Sequence, residues 1–419
     1  MSLSNRSRQF LEIEIEKLIY GGDGLSRHEG KVVFVPYSAP GDRLLIRSVR
    51  EKKNYTRGEI VKILRKGPGR SNPICPHFGK CGGCQWQHLE YPQQLQEKEQ
   101  ILREIFYHHF PYTQNLPINM TASPTPYAYR SRARVQIRNS SSGPSVGFFR
   151  SGSHTVEAIE FCPLLRAPLN RALRSLRLAR SDAGISGDVL ECDIAGSYEE
   201  GLWTAAPAGD AGKAKNARPL SEDKARTKEV VLKRKVGGYL YRISASVFFQ
   251  ANDFLIPELV RLVGELAEGT RTDTALDLFA GVGLFTLPLS GHFKSVIAIE
   301  NSPPASRFCR DNACNAGIGN IQIVCADVAQ WMESIKPATS GKINLILLDP
   351  PRSGAGAMVM EQIRTLSPQT ILYVSCDPQT LSRDLSCMPF EEYRIDRIEG
   401  LDMFPQTYHF ETVVRLTRR

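Results

Sequence analysis

Long apolar runs are missing from this 419-residue sequence. None reaches the roughly 18 residues that a membrane-crossing helix needs. The stretch Met1 to Glu16 is polar and charged, with no continuous apolar centre, so it does not read as a secretory signal. A cytoplasmic protein without membrane association is therefore expected. No internal repeat is visible. The composition, 42% hydrophobic and 23% charged, excludes a wholly disordered chain. The ten cysteines are not spaced as a disulfide framework: Cys75, Cys81 and Cys84 are close, Cys162 is isolated, and six are scattered. In a reducing compartment three close cysteines suggest metal or cluster ligation instead.

Length predicts two to three domains, at about 150 residues each. Lys and Arg number 53 against 44 Asp and Glu, a net charge of +9, and the excess is concentrated. From Leu11 to Leu64, the segments LEIEIEKL, KVVFVPY, DRLLIRSV and RGEIVKIL carry β-type residues at period two, separated by glycine-rich turns. Four or five short strands there predict a small β-barrel. Between Arg43 and Arg70 stand ten basic residues and two acids, with Tyr55 among them. This pattern suits a nucleic-acid-binding module; the alternative is a solvated strand edge guarded by lysines.

Gly67 to Asn72 reads as a linker. Tyr91 to Phe110 has helical spacing, with Leu95, Leu102, Ile105 and Phe106 on one side. Strands return in RARVQIRN and SVGFFR, a basic hairpin carrying Arg132, Arg134, Arg138 and Arg150, with Arg130 just before it. Residues 205–228 are poor in large apolar side chains and predict a flexible loop. After Gly238 the apolar segments TALDLFAG, SVIAIE, IQIVCAD and INLILLDPP alternate with helix-length stretches. Such alternation marks a mostly parallel sheet covered on both faces.

Ligands in such sheets bind at the carboxyl ends of strands. Asp277, Glu300, Asp327 and Asp349 fall at or near those ends. The turn Gly281-Val282-Gly283 lets a ligand approach the backbone. A dinucleotide fingerprint would need a third glycine, and position 286 is Thr. A pyrophosphate is thus disfavoured, and S-adenosylmethionine (SAM) is favoured. Cys376 ends another apolar strand at the same sheet edge, which makes it a nucleophile candidate; a buried structural cysteine is the alternative. Cys192, Cys309, Cys314, Cys325 and Cys387 lack such context and read as structural. Glu411 precedes the last strand, VVRLT, where a carboxylate could serve as a general base or merely be solvated. Cys75, Cys81 and Cys84 with Cys162 make three close ligands plus one. That pattern suits an iron–sulfur cluster better than the paired ligands of a zinc finger. His77 and His88 read as surface or packing residues.

Taken together, these segments resemble the RNA (uracil-5-)-methyltransferase family over nearly the whole chain. The carriers are CGGCQWQH, SVFFQAN, LDLFAGVGLFTLPL, LLDPPRSG, VSCDPQTLSRDL and MFPQTYHFETVV, in the family's order. The N-terminal barrel resembles the TRAM domain, an RNA-binding module. The resemblance implies an α/β protein in three parts: 1–66, a TRAM (OB-like) β-barrel; 67–240, a central, mostly β iron–sulfur domain; and 241–419, a Rossmann-like SAM-dependent methyltransferase domain. Helix 91–110 is expected to pack on that last domain. It further implies a nucleophile at Cys376, a base at Glu411, a [4Fe-4S] cluster on Cys75, Cys81, Cys84 and Cys162, and a SAM site lined by Gln250, Phe279, Glu300, Asp327 and Asp349. The implied product is 5-methyluridine in RNA, with 23S ribosomal RNA favoured because members with both TRAM domain and cluster are typically ribosomal-RNA enzymes. The implied cluster role is structural, or in RNA folding. No obligatory protein partner is expected, and the chain is expected to be a monomer. Two departures stand out: Asp377 where the family often has Asn, and Leu284 where a polar residue is common. The alternatives are a transfer-RNA uracil-5 methyltransferase, a cytosine-5 RNA methyltransferase and a non-catalytic RNA-binding protein. A radical-SAM enzyme is disfavoured because the first cysteine gap is five residues, not three.

Overall fold

The computed structural model describes residues 9–138, 145–178, 190–208, 220–221, 230–335 and 343–419. Alternating side chains build the N-terminal part. Phe10–Glu14 buries Leu11 and Ile13 and exposes Phe10, Glu12 and Glu14. It belongs to a six-stranded sheet ordered Phe10–Glu14, Arg43–Glu51, Tyr55–Arg65, Lys31–Val35, Gly24–His28 and Lys17–Leu18. The two edge strands are successive parts of one run, Phe10 to Leu18. The sheet therefore rolls up on itself, around Ile13, Ile15, Val33, Val35, Leu44 and Ile46. Gly24–His28 was not legible as a strand because it begins in a glycine turn. Gly24 is required there, since a Cβ would fall 2.0 Å from the Ser38 hydroxyl.

A second six-stranded sheet is ordered Val156–Ala158, Ser145–Phe149, Arg132–Arg138, Leu190–Ser197, Leu202–Pro207 and Leu220–Ser221. Helix Ala167–Leu178 packs Leu169, Leu173 and Leu176 into its core. The predicted loop 205–228 lies outside the described residues apart from 205–208 and 220–221. Two arginines of the hairpin are less free than its basic character suggests. Arg132 is nearly buried and donates to the carbonyls of Ser244, Ala245 and Val247. Arg134 makes a two-pronged contact with Asp193, both distances 3.0 Å. Arg132 thus braces the turn leading to Gln250.

The third sheet has eight strands, ordered Ile321–Cys325, Ser295–Glu300, Thr274–Leu278, Leu345–Leu348, Thr370–Ser375, Glu411–Arg418, Tyr393–Leu401 and Ile118–Thr121. The first five are parallel, and Glu411–Arg418 runs against its neighbours. Apolar cores lie on both faces, as continuous strands such as Leu345–Leu348 demand. The last strand, Ile118–Thr121, comes from far earlier in the chain. It follows helix Tyr91–His109, which packs on helix Pro378–Leu385.

That early helix buries polar residues as well as Ile101, Leu102 and Phe106. Lys98 has no exposed side-chain surface and pairs at 2.5 Å with Asp402, equally buried. Its ammonium also donates to the Phe404 carbonyl. Breaking a buried pair leaves one charge uncompensated, which costs about 3–5 kcal/mol. Lys98→Met is expected to lose stability of that order in chemical denaturation. Wild-type stability would mean that the pair contributes no more than a surface one.

Candidate active site

The strand Thr274–Leu278 leads into a turn where Phe279, Gly281 and Gly283 all have positive φ (64°, 57° and 91°). A Cβ on Gly283 would come within 2.9 Å of the Cys309 sulfur, so the turn can be this tight only with glycine. Glu300, ending the next strand, accepts from Gly281 N at 2.8 Å through one oxygen and from Ser302 N at 2.7 Å through the other. Thr286, where a third glycine is absent, has a different task. Its hydroxyl donates at 2.5 Å to Asp277, whose buried carboxyl is pushed up to about 7 by desolvation. The hairpin Leu232–Val236/Tyr239–Ile243 braces this turn from outside: Tyr241 donates to Leu284 O at 3.0 Å, and Asn312 links Arg242 to Val282 O.

Asp349 follows the strand Leu345–Leu348, and Gln250 reaches it from the segment after the hairpin (Nε2 to Oδ2, 3.4 Å). Asp327 is exposed and caps helix Val328–Ser334 by accepting from Gln330 N. Gln250, Phe279, Glu300, Asp327 and Asp349 thus all lie at the carboxyl edge of the sheet or face it. An edge bearing the carboxylates of Glu300 and Asp327 beside Asp349, which burial pushes up to about 7, suits a cationic nucleoside better than a pyrophosphate.

Cys376 sits where strand Thr370–Ser375 ends and helix Pro378–Leu385 begins. Asp377 caps that helix, accepting from Gln379 N and Thr380 N. The backbone therefore turns sharply at the half-buried thiol. Glu411, only 2% exposed, opens the antiparallel strand beside it. The two groups act on each other. Cys376 is pushed up to about 12, by burial first and then by a charge on Glu411, against the Arg352 guanidinium, within hydrogen-bond reach, which pulls it down. Glu411 is raised well above the usual carboxylate range by burial and by Asp349, and is lowered by Arg352. Arg352 also lies 3.4 Å from His409 Nε2. One guanidinium thus serves a thiol, a carboxyl and an imidazole. Arg352 is the site residue that sequence reasoning passed over. Its position after Asp349-Pro350-Pro351 was a signal, because those prolines fix the backbone at the strand end.

Cys75, Cys81, Cys84 and Cys162 are drawn together. Burial raises the thiols of Cys81 (to about 11), Cys84 and Cys162, and the neighbouring sulfurs add to each shift. Backbone and side-chain N–H groups point at the sulfurs: Gly83 N at Cys81 (3.4 Å), Gln87 Nε2 at Cys84 (3.2 Å), and Leu164 and Leu165 N at Cys162. Among the described residues, no three His, Cys, Asp or Glu side chains are placed to hold a single metal ion. His77 pairs with Glu157 at 3.0 Å, and His88 bonds Ser38 O.

With this geometry in view, likeness to known proteins becomes informative. Residues 213–419 match the tRNA (Uracil-5-)-methyltransferase family, and residues 6–61 match the TRAM domain. The chain is 30% identical to the 23S rRNA (uracil(1939)-C(5))-methyltransferase RlmD of Salmonella typhimurium, covering 98% of this chain and 97% of that one. The chain belongs to the RNA (uracil-5-)-methyltransferase family. An RNA methyltransferase of Aquifex aeolicus, uncharacterized, is 31% identical over 97% of this chain and 98% of its own. Among solved structures, the Pyrococcus abyssi tRNA (uracil-54, C5)-methyltransferase in complex with S-adenosyl-L-homocysteine has a TM-score of 0.72 at 25% identity, covering 97% of this chain and 100% of that one. Family members similar over the full length thus include one named for ribosomal RNA and one named for transfer RNA, so three-part architecture alone does not separate those substrates. Among the described residues, no helix is long and apolar enough to cross a membrane.

The raised thiol makes a direct prediction. A thiol near 12 is almost wholly protonated at neutral pH. Alkylation of Cys376 by iodoacetamide in ligand-free protein, followed by peptide mass spectrometry, is expected to rise about tenfold per pH unit from about pH 7 to 9. A plateau near about pH 8 would contradict this. Arg352→Ala removes the lowering charge, so the whole profile is expected to move to higher pH.

Proposed function

We propose that this protein methylates C5 of a uridine in RNA, using SAM, with Cys376 as nucleophile and Glu411 as base. The observation that carries the reading is the convergence of Cys376, Glu411 and Asp349 around Arg352 at the carboxyl edge of the sheet. Gln250, Phe279, Glu300, Asp327 and Asp349 are the residues to hold the cofactor, and the tight glycine turn and acidic edge fit it. Bound there, SAM would supply a positive sulfonium and an electrophilic methyl group, the electron pair of the broken S–C bond staying on sulfur as a neutral thioether.

C5 of uracil is too weak a nucleophile to take a methyl unaided. The Cys376 thiolate adds its electron pair to C6, and the C5=C6 pair moves toward C5 and O4 as an enolate. Arg352 is the cation within reach of that developing charge. Once C5 carries the methyl group, Glu411 takes the remaining C5 proton. The C5=C6 double bond re-forms, and the C6–S bond breaks to return the thiolate. Both Cys376 and Glu411 must lose protons before they act, so positive charge in the filled site favours the working state. The target base must leave its stack to reach a half-buried thiol.

Ribosomal RNA is the favoured substrate, supported by the cysteine arrangement and by 30% identity to a ribosomal enzyme against 25% to the transfer-RNA one. The four cysteines suit a [4Fe-4S] cluster. Their close approach and the N–H groups aimed at three of the sulfurs suit a thiolate-bound group, and the three-plus-one spacing favours a cluster over zinc. Its role is structural, because the reaction transfers no electron. Cys84→Ser is expected to lower the melting temperature and weaken amide protection at Gln85 and Trp86. Cluster-free protein that kept both, and methylated RNA normally, would exclude that role.

The barrel is the proposed RNA-binding face. Arg43, Arg47, Arg57 and Arg65 are paired with acids there, and Arg70 is buried against Asp42. Arg50, Lys52, Lys53, Lys62 and Lys66 have no acidic partner among the described residues, and they remain to meet phosphates. Replacing Lys52, Lys53 and Lys62 by alanine is expected to weaken RNA binding. It is also expected to flatten the salt dependence, by about one unit of slope for each phosphate left without its lysine. An unchanged slope would put the RNA elsewhere.

The deciding experiment offers unmodified ribosomal and transfer RNA separately, with labelled SAM, and digests both to nucleosides. Label in 5-methyluridine from ribosomal RNA, absent with Cys376→Ala, is expected. Label only from transfer RNA would overturn the substrate assignment, and 5-methylcytidine would overturn the base assignment. Glu411→Gln is expected to accumulate covalent RNA–protein adduct, because addition remains possible and release does not.

A further inference from the structure

The N-terminal barrel reaches the nucleophile directly. The turn between its strands Lys17–Leu18 and Gly24–His28 carries Tyr20, whose hydroxyl donates to the backbone carbonyl of Cys376 at 3.3 Å. The ring is set among side chains of the loop before Glu411. It meets Tyr408, His409 and Phe410 edge-on, with centroids 5.3, 6.4 and 6.1 Å away.

This contact is held from several sides. Lys17 pairs with Glu104 at 2.6 Å, and Leu18 N donates to Glu97 at 3.2 Å, both on helix Tyr91–His109. Two residues beyond Tyr20, the Gly22 carbonyl accepts from the Trp86 indole at 3.1 Å. Gly22 has a φ of 93°, and a Cβ there would come within 3.1 Å of both Gln85 and Tyr408. The turn therefore has glycine where its backbone is pressed against the catalytic side. Burial and the neighbouring Asp377 keep the Tyr20 phenol protonated, so it stays a donor.

We infer that Tyr20 is a positioning residue for Cys376: the barrel completes the nucleophile's site as well as binding RNA. The inference rests on Cys376 being the nucleophile. Its physical basis is the turn Ser375–Asp377. Asp377 and Pro378 fix the helix side of that turn, and the strand fixes the other side. The Cys376 carbonyl between them sets the remaining backbone rotation, and with it where the sulfur points relative to Arg352 and Glu411. Small displacements of a reacting atom are costly to rate, whereas RNA affinity gathered over a whole face is not sensitive to them.

The test uses full-length protein purified anaerobically, carrying Tyr20→Phe, Tyr20→Ala or Cys376→Ser, with an RNA that the wild type methylates and the same RNA containing 5-fluorouridine. Tyr20→Phe keeps the ring and removes one hydrogen bond. It is expected to bind RNA within about twofold of wild type, to lose about three- to tenfold in kcat, and to form the covalent fluorouridine adduct more slowly by the same factor at saturating RNA. Tyr20→Ala, which also removes the ring packing, is expected to lose more in both rates. Unchanged kcat and adduct rate in Tyr20→Phe would overturn the inference. So would a loss confined to RNA affinity, which would make Tyr20 an RNA contact, or a slower kcat with a normal adduct rate. Adduct formation by Cys376→Ser would instead overturn the nucleophile assignment itself.

Discussion

The loop from Asp402 to Phe410 is held in shape by residues from distant parts of the chain, and it leads into the candidate active site. Lys98 and Asp402 fix its first residue by an ion pair wholly removed from water. Further along, Gln406 adopts a φ of 71°, a conformation that a non-glycine residue keeps only when its surroundings impose it. Those surroundings are specific. Gln94 accepts from Gln406 N at 2.8 Å and donates to its side-chain oxygen at 3.0 Å. Gln85 N and Trp86 N both donate to its carbonyl. Tyr129 bonds Pro405 O, and Asn252 bonds Met403 O. Glu411 follows directly after Phe410. The cysteine-bearing segment, the early helix, the central domain and the segment bearing Gln250 therefore all anchor one loop, and that loop leads into Glu411, the proposed base.

The same economy governs charge. Cys376, Glu411 and Asp349 are all pushed toward their neutral forms by burial, and Arg352 is the cation that opposes this for the thiol and for Glu411. Such a site is quiet when empty. His409 fits this picture, because burial and Arg352 push its imidazole down to about 3, so it stays neutral beside the guanidinium. In the proposed reaction, positive charge brought by loading favours the ionised thiol.

Much of this was legible in sequence because the relevant signals are local. Apolar segments running up to Asp277, Glu300, Asp349 and Cys376 announce a parallel sheet and its carboxyl edge, and paired glycines announce the turn. The early helix was legible as a helix, but its buried face was not fully so. Leu102 and Phe106 point inward as spacing predicts, whereas Leu95 and Ile105 are only partly buried and Gln94 and Lys98 are fully so. Periodicity reads apolar residues and is blind to polar ones buried for a partner some 300 positions away. The Ile118–Thr121 strand and the Tyr20 contact were hidden for the same reason, since each is created by long-range packing. Arg132 was legible as basic, but a charge run does not reveal which of its members are spent on carbonyls.

Remote anchors thus set the geometry of the Asp402–Glu411 loop, and amide hydrogen exchange in wild type and in Gln94→Leu reads this out. Faster exchange is expected at Gln406 and along the loop to Glu411 in the variant, with strands Thr274–Leu278 and Leu345–Leu348 unchanged. Equal protection of the loop in both proteins would show that it keeps its shape without the anchor from the early helix.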